Sequence, residues 1–309
     1  MSEIASQRPS RIVVDLDAIG HNLQAIRTRV GVPVMAIVKA NAYGHGLVPV
    51  ARHLQAQGVD QLGVAFVEEG IALRRAGITT PILVLGGIFG PQVAQFLEHD
   101  LEITVSSLDK LRQVEATAQA MGRKATIHLK IDTGMERIGV HSYCAGPFIE
   151  AAVASPWCTL KGIYSHLACA DDPASPMTLQ QLARFEDACA HFTRIGAPMP
   201  LRHLANSGGV LNFRETWLDI VRPGIVLYGV LPDLIRRLRS GEPLELELGL
   251  SEMTTLQQVQ ALKAGRIDIG FGRIRIDDPA ILQTVLTEDR LVAALPAGHI
   301  ARLYGAFRA

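Results

Sequence analysis

From Pro33 to Gly229, short β-branched apolar runs alternate with amphipathic stretches of helical length. The runs fall at 33–38 (PVMAIV), 61–66 (QLGVAF), 81–85 (PILVL), 101–105 (LEITV), 124–132 (KATIHLKID), 158–165 (CTLKGIYS), 201–205 (LRHLA) and 219–228 (DIVRPGIVLY). Short runs of this kind, bounded by polar segments, predict strands buried on both faces. Between them the apolar positions recur every three or four residues. Ile19, Leu23, Ile26 and Val30 predict a helix over 17–30 behind an Asp17 cap, and Leu179, Leu182, Phe185 and Phe192 predict another over 177–194. Eight strands alternating with helices predict an α/β fold, a (β/α)8 barrel like that of TIM, over 11–230. No G-x-G-x-x-G follows the first strand, which disfavours the competing doubly wound sheet.

After Gly229 the pattern changes. Residues 230–250 read as a linker, and short strand candidates follow near 253–262, 266–271 and 281–295. They predict a small, incomplete C-terminal β-domain over 240–309, to which residues 1–16 (RIVVD at 11–15) could add a strand.

Composition narrows the function classes. Of 309 residues 48% are hydrophobic, enough for a sizeable core and too many for a disordered chain. Thirty basic residues balance thirty acidic ones, so the long-range attraction that a generic nucleic-acid or anionic-membrane binder needs is missing. The basic run Arg236–Arg239 has no interleaved aromatics and reads as a solvated helix face. No apolar run reaches the roughly 18 residues of a membrane span. Cys144, Cys158, Cys169 and Cys189 form no C-x-x-C pair, and His45, His128 and His203 have no metal-ligand spacing. The expectation is a cytoplasmic protein with no metal and no nucleic-acid or membrane partner.

Barrel chemistry sits where strands end. Those ends carry Lys39, Leu85, Lys130 with Arg137, His166, Asn206-Ser207 and Arg222 to Gly224. A lysine closing a buried apolar strand is desolvated, and its neutral amine is a Schiff-base nucleophile. Equally, Lys39 could reach solvent or pair with a carboxylate. Ser207-Gly208-Gly209 and Pro223-Gly224-Ile225 follow strands seven and eight, where barrels commonly seat phosphate. Simple helix capping by Ser207 is the competing account. Lysine and phosphate seat together suggest pyridoxal 5'-phosphate. For the remaining residues, His166 could be a satisfied core histidine, and Lys130 with Asp132 an ordinary ion pair.

In order and spacing, AIVKANAYGHG, HLKIDTGMERIGV, GIYSHLACAD, HLANSGG and VRPGIVLYG resemble the alanine racemase family of pyridoxal-phosphate barrels over residues 10–230. The resemblance implies an isomerase that interconverts L- and D-alanine by two-base proton transfer at Cα. It makes Lys39 the cofactor lysine and one base. Tyr43, Ser207, Gly224 and Ile225 would hold the phosphate, and Arg222 would face the pyridine nitrogen with His166 hydrogen-bonded behind it. Arg137 would contact the ring hydroxyl and the substrate carboxylate, and Lys130 matches a lysine that is often carbamylated to brace that arginine. Asn206 would support the residues that touch the cofactor, and Leu85 would line the cofactor pocket. An arginine cannot yield its proton, so the ring nitrogen stays unprotonated, which suits racemisation over decarboxylation.

The family's second base is a tyrosine that reaches into the partner subunit's barrel of a homodimer. GRIDIGFGR and RLVAALPAG resemble the approach to that motif, but His299 stands at the tyrosine position and Tyr304 lies nearby. The family's C-M-D-like strand and a further phosphate-binding tyrosine are expected to be missing. Three activities follow as expectations: racemisation with His299 or Tyr304 as second base, a pyridoxal-phosphate-binding barrel with little turnover, or another amino-acid racemase, such as one for serine.

Overall fold

The computed structural model describes residues 14–228 and 255–264. Residues 1–13, Arg236–Arg239, the strand candidates at 266–271 and 281–295, and His299 and Tyr304 lie outside the described residues.

The strands are Met35–Ile37 (β1), Gln61–Val64 (β2), Ile82–Val84 (β3), Glu102–Val105 (β4), Ala125–Asp132 (β5), Val140–His141 (β6), Cys158–Tyr164 (β7) and Leu201–His203 (β8). They pair in parallel in the order β1-β2-β3-β4-β5-β7-β8, with β6 a side pairing on β5. Residues 219–223 close the ring. On one side Asp219 N–H donates to Arg202 O and Arg222 N–H to Ala205 O, at 3.2 and 2.9 Å. On the other, Met35 N–H donates to Val221 O and Ile37 N–H to Pro223 O, at 2.8 and 3.0 Å. The (β/α)8 barrel is therefore the observed fold. The eighth predicted strand is shorter than expected: Ile225–Tyr228 wind into a 3-10 turn. Pro223 offers no N–H to a ladder there. Arg202 and Asp219 clamp this seam through two side-chain bonds of 3.0 Å.

Two of the predicted helices form with corrected details. Leu16–Val30 is capped by Asp15, whose Oδ1 accepts from Ala18 N–H, while Asp17 sits in the first turn. Asp15 alone has the extended backbone that lets a side chain reach forward to the free N–H groups. This helix occupies 16 onward, so residues 14–16 add no strand. Met177–Arg194 matches the predicted span, yet Leu179 is exposed and the buried stripe runs through Leu182, Phe185 and Phe192. The strand candidate near 253–262 is instead the helix Thr255–Lys263. The chain divides into two compact units, Met1–Ser251 and Glu252–Ala309.

Strand alternation creates two interiors. Ala36, Val84, Ile103, Ile127, Leu129 and Ile163 face outward into the main core with the helices, where truncating a buried Phe such as Phe185 costs ~3–5 kcal/mol. Inside the ring, Met35, Ile37, Leu83 and Ile220, with Leu85 and Leu201, make one apolar half. The other inward positions on β4, β5, β7, β8 and the closing segment include a polar set, Glu102, Thr104, His128, Lys130, Tyr164, His203 and Arg222, all buried.

Candidate active site

The mouth begins where β1 ends. Ala40, Asn41, Ala42 and Tyr43, following Lys39, all have φ between 52 and 55°, a left-handed turn without glycine. Each such residue costs ~1–2 kcal/mol, so neighbours must hold it in place. Glu69 accepts from Ala40 N–H at 2.6 Å through Oε1 and from Ala65 N–H at 2.8 Å through Oε2. Asn41 Oδ1 accepts from Leu47 N–H at 2.8 Å. The turn leaves Lys39 half-buried at the mouth, its Nζ 6.0 Å from the Tyr43 ring centroid.

Beside it, past the closing segment, Asn206 is the cap of the helix Ser207–Asn212, its Oδ1 accepting from Gly209 N–H at 3.0 Å. The capping account of Ser207 is therefore corrected. Ser207 Oγ instead accepts from Gly224 N–H at 3.0 Å and joins the two last loops. A Cβ on Gly224 would lie 2.5 Å from the Tyr43 hydroxyl. Tyr43, Ser207 and Gly224 thus form one cradle, open only because position 224 lacks a side chain, with Ile225 exposed beside it. Leu85, half-buried after β3, borders the apolar half of the ring.

Arg222 lies at the centre. Its Nη2 donates to Ser165 O at 2.7 Å and Leu204 O at 3.1 Å, and its Nη1 donates to His203 Nδ1 at 3.1 Å. The expected place of His166 behind this guanidinium is taken by His203, because inward residues alternate and His203 shares the ring interior. Burial lowers Arg222 to about 10, which leaves it protonated at neutral pH. Burial, then the charge of Arg222, lowers Lys130 to about 7. Lys130 Nζ lies 5.0 Å from the Tyr164 ring centroid. Asp132 does not pair with it: Oδ1 accepts from Gly134, Met135 and Glu136 N–H and Oδ2 from Arg137 N–H, shaping the loop that presents exposed Arg137. Half-buried His166 is held well below its ordinary value, by burial first and then by Arg222, Lys130, Arg137 and Lys39. Four basic side chains, Lys39, Lys130, Arg137 and Arg222, converge on one mouth, which makes it a seat for anions.

Sequence reasoning missed Glu69, Tyr164 and the inward group Glu102, His128 and His203. Charged or imidazole residues inside apolar strands (LEITV, TIHLK, LRHLA) were the available signal.

Pyridoxal phosphate fits these residues: the cradle cut by Gly224 suits a phosphate, and Lys39 and Arg222 border the same mouth. Fold and site define a class, barrels that join an amine after strand one to an anion seat built by the last two loops. Residues 14–232 match the family described as "Alanine racemase, N-terminal domain". Alanine racemase from Desulforamulus reducens is 44% identical over 222 residues, 71% of this chain and 60% of that protein. Alanine racemase 1 from Caldanaerobacter subterraneus subsp. tengcongensis is 35% identical over 295 residues, covering 94% of this chain and 72% of the relative. The crystal structure of alanine racemase from D-cycloserine-producing Streptomyces lavendulae aligns with TM-score 0.68 at 40% identity, covering 73% of this chain and 61% of that one. The chain belongs to the alanine racemase family. It spans about three fifths of the length of relatives such as the Desulforamulus protein. Residues 215–307 also match the family described as "LysR substrate binding domain".

Proposed function

We propose that this chain racemises a small amino acid, alanine first, with pyridoxal phosphate held at the barrel mouth. The convergence of Lys39, Tyr43, Ser207, Gly224 and Arg222 carries this reading. Tyr43, Ser207 and the backbone at Gly224 and Ile225 would hold the phosphate and Lys39 the aldehyde end, while Leu85 and His166 would border the ring with Asn206 behind them. Once bound, the cofactor supplies an electron sink for charge at the substrate Cα. Arg222 keeps its proton and so leaves the ring nitrogen unprotonated, favouring proton return over decarboxylation. Arg137 orients the substrate carboxylate. Lys39 removes and returns the proton on one face. Lys130, whose amine loses its proton near pH 7, adds to CO2 to form a carbamate with release of one further proton, and the new carboxylate braces Arg137.

The opposite face needs a second base, assigned here to His299 or Tyr304 of the 240–309 segment acting across a homodimer. Among the described residues no helix is long and apolar enough to cross a membrane, and a cytoplasmic location suits this chemistry. The test supplies pyridoxal phosphate to the full chain. Bound-cofactor absorbance that disappears in Lys39→Ala, and deuterium entry at Cα from both alanine enantiomers with inversion, are expected. Exchange with retention alone refutes the two-base reading, and unchanged activity in both His299→Ala and Tyr304→Phe refutes the assigned bases. Parallel assays on serine fix the side-chain preference. The LysR-type match favours one alternative, a cofactor-binding barrel with little turnover joined to a segment of different ancestry. It predicts bound cofactor without racemisation.

A further inference from the structure

The polar half of the barrel interior carries an ordered chain of hydrogen bonds that runs away from the mouth. Arg222 Nη1 lies 3.1 Å from His203 Nδ1, His203 Nε2 lies 2.9 Å from His128 Nδ1, and His128 Nε2 lies 2.8 Å from Glu102 Oε2. Every member is buried. A guanidinium only donates, so His203 Nδ1 must accept and its proton must sit on Nε2. That proton is given to His128 Nδ1, which forces the His128 proton onto Nε2, and Glu102 accepts it. The direction is fixed at both ends, by a group that cannot accept and a group that cannot donate while ionised.

Glu102 is itself anchored. Lys161 Nζ donates to its Oε1, and Gln61 Nε2 donates to its Oε2 at 2.6 Å. Gly162, opposite His128 in the β5–β7 register, has no side chain because a Cβ there would overlap His128 Nδ1. The ring of His203 stacks on Tyr164 at 4.6 Å. His128 is faced by Glu102, Lys161, Arg222 and His203; His203 is faced by Arg222, His128, Lys130, Lys161 and Tyr164. Burial, the largest cause, lowers both imidazoles and keeps them neutral.

We infer that Glu102 is a positioning residue for Arg222: it sets the tautomers of His128 and His203 and so fixes the guanidinium that the mouth presents. This deepens the function proposed above, since it rests on Arg222 facing the cofactor ring. It also yields a counter-intuitive consequence for an isosteric change. In Glu102→Gln, Lys161 can only donate and claims the amide oxygen, while Gln61, whose N–H2 had met the other oxygen, turns its own amide so that its oxygen accepts. The amide N–H2 then faces His128 Nε2, which must accept, so the His128 proton moves to Nδ1. Two N–H groups now confront each other at His128 and His203, and the conflict passes to Arg222.

The experiment is 15N NMR on the histidine-labelled full chain, with and without added pyridoxal phosphate. In the unmodified protein, His128 and His203 are expected as neutral Nε2–H tautomers that do not titrate between about pH 5.5 and 8.5. Glu102→Gln should flip His128 to the Nδ1–H form and weaken pyridoxal phosphate binding about tenfold, the scale of one lost hydrogen bond to a charged group. Lys161→Met alone should leave the tautomers in place. Glu102→Gln combined with Lys161→Met frees the amide oxygen and should restore both the Nε2–H tautomer and the affinity. A titrating His128 or His203, an unflipped Glu102→Gln, or a flip without loss of affinity overturns the inference. If the unmodified chain binds no pyridoxal phosphate, the function proposal fails while the tautomers still decide the relay.

Discussion

Replacing Ala40 by glycine should stabilise this protein, against the usual sign for an Ala→Gly change. Ala40 sits at φ 53 and ψ 53 in the left-handed turn after Lys39, and its methyl group is exposed. Glycine removes ~1–2 kcal/mol of steric cost at that φ. It adds ~0.5–1 kcal/mol of unfolded-chain entropy. The balance is a gain of ~0.5–1 kcal/mol, or ~2 °C in Tm for a barrel of this size. The adjacent positions supply internal controls. Asn41 already tolerates this conformation, and Asn41→Gly forfeits its bond from Leu47 N–H, so a loss of ~1 kcal/mol is expected. Ala42 is fully buried, and Ala42→Gly exchanges the relieved strain for a lost methyl group worth ~0.8 kcal/mol and the void it leaves. Urea and thermal unfolding of the three variants should therefore rank Ala40→Gly above the parent and Asn41→Gly below it. Pyridoxal phosphate binding should weaken in Ala40→Gly as Lys39 gains freedom. A lowered Tm for Ala40→Gly, or equal shifts at all three positions, refutes the claim that this turn is strained.

Other outcomes follow from the same geometry. Lys130 has a folded value of about 7, below its unfolded one, so between about pH 7 and 10 the unfolded chain holds the extra proton and stability should rise with pH. Lys130→Met should flatten that slope in pH-dependent denaturation. Bicarbonate near pH 8 should raise Tm and add the mass of one CO2 in native mass spectrometry, both lost in the same variant. Gly162→Ala should destabilise by ~1–3 kcal/mol, because its Cβ would meet the His128 ring, and calorimetry checks this. At Asp219 burial acts upward but the bonds and charge of Arg202 together outweigh it and lower the carboxyl, so it stabilises the seam above its unfolded value and loses that contribution as pH falls through the folded one. Asp219→Asn should cost about 1 kcal/mol near pH 7, reduced by the pair's partial exposure, and progressively less as the pH is lowered below the carboxyl's unfolded value.

The barrel was legible because its strands are buried on both faces and read as apolar runs, from PVMAIV to CTLKGIYS. Where legibility failed, a competing rule was at work. Ile225–Tyr228 kept a strand-like composition but followed a proline and wound into a turn. The Asp15 cap lost out to Asp17 in the pattern because both precede the same apolar stripe, and only backbone geometry separates them. The cradle residues Tyr43, Ser207 and Gly224 were recoverable from strand ends and resemblance. The left-handed turn was not, since KANAY contains no glycine to announce it. The inward network was hidden for a different reason: Glu102, His128 and His203 each look like an isolated polar residue, and only closure of the ring brings them into line.

The ring closes late in the chain, through the pairing of Val221 with Val34. During synthesis, β1 and β8 therefore stand as two open sheet edges until residues 219–223 emerge, each able to recruit a foreign strand. The same short segment delivers Arg222 to His203. Sealing the edges and completing the interior charge arrangement are thus a single event, so a nascent barrel that has lost its stickiness has also acquired its central cation.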